Sequence, residues 1–231
     1  MPRAIAIVSG GLDSVTLAYL LHAEGYDLHL VSFDYGQRHK KELAFAERCA
    51  KRLGATFDVI NLSSITRFLK GSALTDAIPV PDGHYAAPTM AITVVPNRNA
   101  MMLSVAYAVA VAEQARVVAM GVHAGDHFIY PDCRPAFIAA FDTMQRIAVE
   151  GFGEPQLRLE APFMHMSKDQ IVQLGTSLQV PYSDTWSCYK GGEIHCGTCG
   201  TCVERKEAFE LAGVPDPTEY EVTINIASLS S

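Results

Sequence analysis

Short apolar runs separated by amphipathic stretches set the rhythm of the first half of the chain. Residues 4–8 and 28–33 are largely apolar and of strand length, while Leu43, Ala46, Ala50 and Leu53 recur at the three-and-four spacing of a helix closed by Gly54. The runs 57–62 and 117–122 predict two more strands, with a helix over 97–115 between them and another over 135–149 after them. Strands that are apolar throughout are buried on both faces. Alternating them with helices predicts an α/β fold, a Rossmann-like parallel sheet flanked by helices on both faces. A last strand is expected over 157–161. Ser167 three residues before Gln170 then has the form of a capping box opening a helix that carries Ile171, Val172 and Leu174. The stretch 71–96, punctuated by Pro79, Pro81, Pro88 and Pro96, predicts a long loop of the kind that serves as a lid or binding segment.

Composition narrows the function more than the fold. At 231 residues, with 49% apolar and 19% charged positions, the chain has an ordinary globular balance and enough length for one large domain. Eighteen Lys and Arg against twenty-five Asp and Glu give a formal charge of −7. That provides no basic field for direct nucleic-acid binding and favours a small-molecule substrate. No apolar run approaches the roughly 20 residues of a membrane span, and 4–8 is too brief for a signal-peptide core. The expectation is a cytoplasmic protein without a membrane partner, in which six cysteines are metal ligands or buried thiols rather than disulfides.

Candidate chemistry begins where the first predicted strand ends. Ser9-Gly10-Gly11-Leu12-Asp13-Ser14 lies between that strand and a helical pattern starting at Val15. Two glycines there let the backbone turn tightly and bring N–H groups to an anion, and the following helix offers its unpaired donors and positive dipole end. Ser9 and Ser14 add hydroxyl donors, and Asp13 is placed to hold Mg²⁺ or to orient the loop. A Walker loop needs Lys after its last Gly, and a dinucleotide fingerprint needs Gly-x-Gly-x-x-Gly; neither is present. The motif resembles the PP-loop of the ATP pyrophosphatase superfamily, whose members cradle the β- and γ-phosphates of ATP and usually transfer AMP to a substrate oxygen.

Near the other end, Cys188, Cys196, Cys199 and Cys202 form C-x7-C-x2-C-x2-C with Gly192, Gly197 and Gly200 among them. Four thiolates close a tetrahedral zinc site and leave no open coordination position, which makes the metal structural, one Zn²⁺ per chain. An iron–sulfur cluster is the competing occupant, but the C-x3-C-P that completes the ferredoxin pattern is missing. His195 reads as a neighbour of the site and Cys49 as a buried apolar residue.

The two motifs together, with Phe33-Asp34-Tyr35-Gly36-Gln37-Arg38-His39, Val95-Pro96-Asn97-Arg98-Asn99 and Tyr130-Pro131-Asp132-Cys133-Arg134, resemble the 7-cyano-7-deazaguanine synthase family over residues 3–213. The family often has Gly where this chain has Asn97, and Ser-Gly where it has Phe128-Ile129. The resemblance implies an ATP-binding stretch of Val8, Ser9, Gly10, Gly11, Leu12, Asp13, Ser14, Val15, Thr16, Leu17 and Ala18, with Asp13 and Ser14 catalytic, and Cys188, Cys196, Cys199 and Cys202 as metal ligands. Arg98 and Lys168, cations beside predicted helix starts, are candidate phosphate contacts. Asp126, Asp132 and Arg134 follow a parallel strand's C-terminal end, where open α/β sheets bind ligands, and are candidates for holding the substrate; Asp132 competes as a cap for the helix after Pro135.

What the resemblance implies chemically is a carbon–nitrogen ligase acting in queuosine precursor synthesis. ATP with Mg²⁺ would activate the carboxylate of 7-carboxy-7-deazaguanine, ammonia would displace the activated oxygen to give an amide, and a second activation would leave the nitrile. Family membership further implies a homodimer. Rival readings are a PP-loop enzyme that modifies tRNA and a non-catalytic zinc-ribbon module. The expected organisation is a PP-loop ATP-binding α/β domain over 1–181, a four-cysteine segment with a closing helix over 182–213, and a tail over 214–231.

Overall fold

The computed structural model describes residues 1–38 and 40–222. Five strands, β1 (Arg3–Ile7), β2 (Asp27–Asp34), β3 (Thr56–Asn61), β4 (Val117–Ala119) and β5 (Arg158–Glu160), form one sheet in the order β3-β2-β1-β4-β5, and every pairing is parallel. Six helices connect and cover it: α1 (Leu12–Ala23), α2 (Lys41–Leu53), α3 (Arg98–Ala112), α4 (Pro135–Ala148), α5 (Lys168–Ser177) and α6 (Gly200–Ala212). The predicted α/β class and the helices on both faces are as the periodicity implies.

Alternation along the strands divides the core in two. Ile5, Ile7, Val31, Phe33 and Val118 face α3 and α4. Ala4, Ala6, Leu28, Leu30 and Ala119 face α1, α2, α5 and α6, where Leu17, Leu21, Ala50, Ile171 and Phe209 meet them. Gly54 ends α2 in the left-handed conformation at φ 63°, and the Ser167 N–H donates to Gln170 Oε1 at 3.0 Å as the predicted capping box requires. No helix among the described residues is long and apolar enough to cross a membrane.

Two expectations change. The predicted strand over 117–122 ends at Ala119: Met120 still donates its N–H to the Glu160 carbonyl at 3.0 Å, but no residue beyond it is in the sheet, and Met120 and Val122 line a cavity. Of the two readings of the stretch 71–96, the packing disfavours a free lid, since Ala73, Leu74, Tyr85, Met90 and Val95 are buried and a short 3-10 turn spans Pro88–Thr93, while Leu74 and Tyr85 line the cavity as a binding segment does. The segment after α5 is fastened to the rest by α6, whose Ala208 and Phe209 enter the second core and whose Arg205, 0% exposed, donates to the Tyr182 carbonyl at 2.9 Å and to Thr185 Oγ1 at 2.7 Å. Part of the expected tail also packs: the Glu221 N–H donates to the His195 carbonyl at 2.8 Å. Residues 223–231 of that tail lie outside the described residues, as does His39.

Candidate active site

The strand order reverses between β1 and β4. β1 leads through α1 to β2 on one side, while the chain crosses back through α3 to β4 on the other. Such a switch point opens a crevice at the carboxyl ends of the strands. A cavity of about 250 Å³ lies there, lined by Ser9, Gly11, Asp13 and Ser14 from the first turn, Tyr35 and Gln37 beyond β2, Glu42 from α2, Arg98 from α3, Asp126 beyond β4 and Lys168 from α5.

The phosphate loop is shaped by its neighbours. Gly10 has φ 89°, and a Cβ there would drive into the Glu42 carbonyl and lie 2.8 Å from the Ala46 nitrogen, so the loop is seated against the first turn of α2. Inside it, Ser14 Oγ accepts the Ser9 N–H at 3.2 Å and donates to the Gly11 carbonyl at 3.2 Å. No side chain caps α1, which leaves its first N–H groups and the dipole end open to an anion. Val15, Thr16, Leu17 and Ala18 lie buried beneath the loop; the Thr16 hydroxyl is spent on the Leu12 carbonyl at 2.8 Å.

Behind the loop is a charged network. Lys168 Nζ lies 3.2 Å from Asp13 Oδ2 and 2.6 Å from Glu204 Oε2. Burial opposes the Lys168 charge, but Asp13 and Glu204 more than offset it and hold the ammonium above its ordinary value. Asp13 Oδ1 is buried with no partner among the described residues. Asp126 accepts the Tyr85 hydroxyl at 3.0 Å and the His123 N–H at 3.1 Å.

The opposite wall carries Arg98 and Glu42. Arg98 lies about equally over the rings of Tyr35 and Tyr130, at 5.9 and 6.0 Å, and forms no ion pair among the described residues. Glu42 Oε1 accepts the Gln37 amide at 3.3 Å. Burial pushes its carboxyl up to about 7, against the pull of Arg98 and of that amide.

Of the three residues expected to hold the substrate, Asp126 lines the cavity while Asp132 and Arg134 do not. Asp132 is a cap, though of α3 rather than α4: its Oδ2 accepts the Asn99 N–H at 3.0 Å. Arg134 is exposed and donates to the His127 carbonyl at 2.9 Å. Sequence reasoning passed over Glu42 and the aromatic lining of Tyr35, Tyr85, Tyr130, Trp186 and Tyr189. Glu42 reads as an ordinary acidic residue in a helix's first turn, and only its closeness to the Phe33–His39 block marked it.

The four cysteines come together, all buried, with their sulfur atoms within 4.8 Å of one another. Cys196 and Cys202 Sγ are 3.9 Å apart, against the roughly 3.8 Å that four Zn–S bonds of about 2.3 Å impose on a tetrahedron. The N–H groups of Thr198 and Cys199 point at Cys196 Sγ, each at 3.4 Å. Hydrogen bonding with the Cys188 thiol, foremost among the neighbouring thiols, draws Cys196 below the usual thiol range and Cys199 down to about 6. His195 is no ligand here; its Nε2 accepts the Ser187 N–H at 3.0 Å. The same segment supplies Trp186, Ser187, Cys188 and Tyr189 to the cavity, so it is one wall of the site.

The chain is similar to known proteins over nearly its whole length. The family model described as "Queuosine biosynthesis protein QueC" matches residues 3–213. The 7-cyano-7-deazaguanine synthase of Rhizobium leguminosarum bv. trifolii (strain WSM2304) is 60% identical over 219 residues, covering 95% of this chain and 92% of the relative. That of Brucella ovis (strain ATCC 25840 / 63/290 / NCTC 10512) is 58% identical, covering 95% and 94%. Among solved structures, an NMN synthetase from Francisella tularensis aligns with 93% of this chain and 78% of its own at 17% identity and a TM-score of 0.49, too remote to carry an assignment. With a phosphate loop at the switch point, a four-cysteine wall beside it and relatives alike over nearly their whole length, the chain belongs to the QueC family of queuosine biosynthesis, the 7-cyano-7-deazaguanine synthases.

Proposed function

We propose that the switch-point cavity binds ATP and a carboxylated deazapurine together and converts the carboxylate to a nitrile by two successive activations. The observation that carries this is the sharing of one cavity by the uncapped phosphate loop and an aromatic wall suited to a flat base. Ser9, Gly10, Gly11 and Ser14 take the phosphates, and their donors stabilise pyrophosphate charge as the bond to the α-phosphorus breaks. Lys168 holds Asp13 by one oxygen, and the unpartnered Oδ1 is the one that fits Mg²⁺ carried in with ATP. Arg98, a guanidinium without an ion-pair partner among the described residues, is the remaining phosphate contact. Asp126 is the acidic side chain assigned to the deazapurine, supported by its position in the cavity lining.

A carboxylate resists displacement because its leaving group is an oxide. Transfer of the adenylyl group makes that oxygen the bridge of an acyl phosphate; ammonia then attacks the carbon, AMP leaves with the oxygen, and a primary amide remains. Adenylyl transfer to the amide oxygen, with loss of one N–H proton, activates it in the same way; AMP then departs with that oxygen and the second N–H proton is lost, which leaves the nitrile, so two ATP are consumed if both activations use it. The four cysteines hold one zinc ion, supported by the tetrahedral sulfur spacing, and zinc fixes the Trp186–Tyr189 wall rather than taking part in the reaction. A cytoplasmic homodimer is part of the same reading, supported by exposed apolar side chains on and after α4, where Ile147 is 70% and Phe152 79% exposed. The test is direct: supplied with ATP, Mg²⁺, ammonium and 7-carboxy-7-deazaguanine, the protein should yield the nitrile, and synthetic amide should yield it with ATP but no ammonium. An amide that enters the site and stays inert would overturn the stepwise scheme.

A further inference from the structure

Three carboxyl side chains line the cavity among the described residues, and two of them are engaged. Asp13 is paired with Lys168 at 3.2 Å, and Asp126 accepts the Tyr85 hydroxyl at 3.0 Å and the His123 N–H at 3.1 Å. Glu42 has only the Gln37 amide, at 3.3 Å, and no cation in ion-pair contact among the described residues. Gln37 is itself fixed: its Nε2 also donates to the Phe33 carbonyl at 3.0 Å, and its Oε1 accepts the Tyr35 N–H at 3.0 Å. One oxygen of Glu42 is thereby oriented and the other left open to the cavity. The Glu42 backbone abuts Gly10, and Glu42 lines the same cavity as Ser9, Gly11, Asp13 and Ser14.

The nitrogen donor is the one reactant still without a place. In neutral water it arrives as ammonium, a small cation that must lose a proton before its lone pair can attack carbon. An open, partly desolvated carboxylate attracts such a cation more strongly than water does. We propose that Glu42 docks ammonium and takes its first proton in the amide-forming step, an assignment that rests on the function proposed above. Of the four N–H protons, one passes to Glu42 and frees the lone pair that then forms the C–N bond. The C–O bond to the nucleotide phosphate then breaks, the electron pair leaves with that oxygen, a second proton goes to the departing phosphate, and two remain in the amide. Glu42 returns its proton to solvent.

Burial already sets this carboxyl to exchange a proton near neutrality, at about 7. The charged and titratable groups facing it are Arg98 from α3 and the Tyr35 phenol beyond β2. Across the cavity stand Asp13, Asp126 and Lys168, and Arg38 precedes it on its own segment. Because its pKa is raised, Glu42 is the base above about 7 and is protonated below. The rate at limiting ammonium should therefore fall as pH drops through that value.

The experiment compares wild type with Glu42→Gln and Glu42→Asp, measuring kcat/KM for ammonium against pH with the acid as substrate, and ATP-dependent conversion of the synthetic amide without ammonium. Glu42→Gln should lose about 10²-fold in kcat/KM for ammonium along with the acidic limb of its pH profile. Glu42→Asp should keep the limb and recover part of the rate. Amide conversion should fall far less, which also shows that Glu42→Gln is folded. Equal losses with acid and amide, a rise confined to the KM for ATP, or an unchanged profile would each overturn the assignment. Failure of the wild type to turn acid and ammonium into nitrile would instead overturn the reading on which it rests.

Discussion

The phosphate loop and the cysteine segment form two walls of one cavity and treat their polar groups in opposite ways. Around the loop, polar groups are left open: the first N–H donors of α1 have no side-chain cap, and the acceptor Asp13 Oδ1 has no partner among the described residues. In the cysteine segment they are turned inward. N–H groups aim at sulfur, the Trp186 indole N–H donates to the Cys188 carbonyl at 3.0 Å, and Arg205 is wholly buried in hydrogen bonds. Unsatisfied groups beside a cavity cost stability until a ligand completes them, whereas a satisfied, closed knot supplies rigidity. On the function proposed above, one wall reacts and the other holds it in place, and removing groups from each should separate the two roles.

The largest effect is expected at the knot. Cys196→Ala removes a thiol that receives two backbone N–H groups and sits 3.9 Å from Cys202. Structural zinc contributes apparent free energies of about 10–16 kcal/mol in isolated zinc-finger peptides, so metal and soluble yield should be lost together. Elemental analysis of the wild type should find one zinc per chain. Iron with acid-labile sulfide, or a folded and fully active zinc-free variant, would break the contrast on this side.

On the other wall, Asp13→Ala or Ser14→Ala should reduce turnover by at least about 10²–10³-fold, the usual loss for a group that stabilises transition-state charge, with zinc content and far-ultraviolet circular dichroism unchanged. Equal turnover in both variants would remove the loop from the reaction. Between the extremes stands Arg205→Met. Its loss leaves the Tyr182 carbonyl and Asp216 without their cation, at a cost of about 3–5 kcal/mol for breaking a buried pair. Because these bonds anchor the chain that leads to Trp186, the KM for the base should rise as the Tm falls. An unchanged Tm would mean the thiols alone hold the segment.

Much of this was legible because apolar periodicity and ligand spacing are local signals. Strands buried on both faces announce themselves, and the Ser9–Ser14 turn and the C-x7-C-x2-C-x2-C spacing carry their geometry within a few residues. What escaped depends on packing. Met120 and Val122 are apolar because they line a cavity, which in sequence looks the same as continuing a strand. Two 3-10 turns, Ala124–Phe128 and Pro131–Cys133, follow β4, and Asp126 in the first lines the cavity whereas Asp132 in the second does not. The rule that ligands sit beyond strand ends could not choose between them. Glu42 is distinguished only by what surrounds it, since an acidic residue in a first turn already has a sufficient explanation in the helix dipole.

The smallest expected effect tests whether the reacting wall depends on side chains or on exact backbone. Asn97, where the family often has Gly, has φ 57° and ψ 21°, the left-handed conformation that Gly adopts freely and Asn tolerates better than other residues. The family difference therefore preserves the turn that launches α3 and presents Arg98 to the cavity. Ile129, at the other replaced Gly, has φ −100° and needs no such freedom. Asn97→Ala should lose about 1–2 kcal/mol in denaturant unfolding, the strain of a Cβ in that region, and Asn97→Gly should change stability by only a few tenths of that range. The KM for ATP should follow the same order, because Arg98 adjoins the strained residue. If Asn97→Ala proves as stable and active as Asn97→Gly, the backbone at the start of α3 can relax without cost, and side chains alone define that wall.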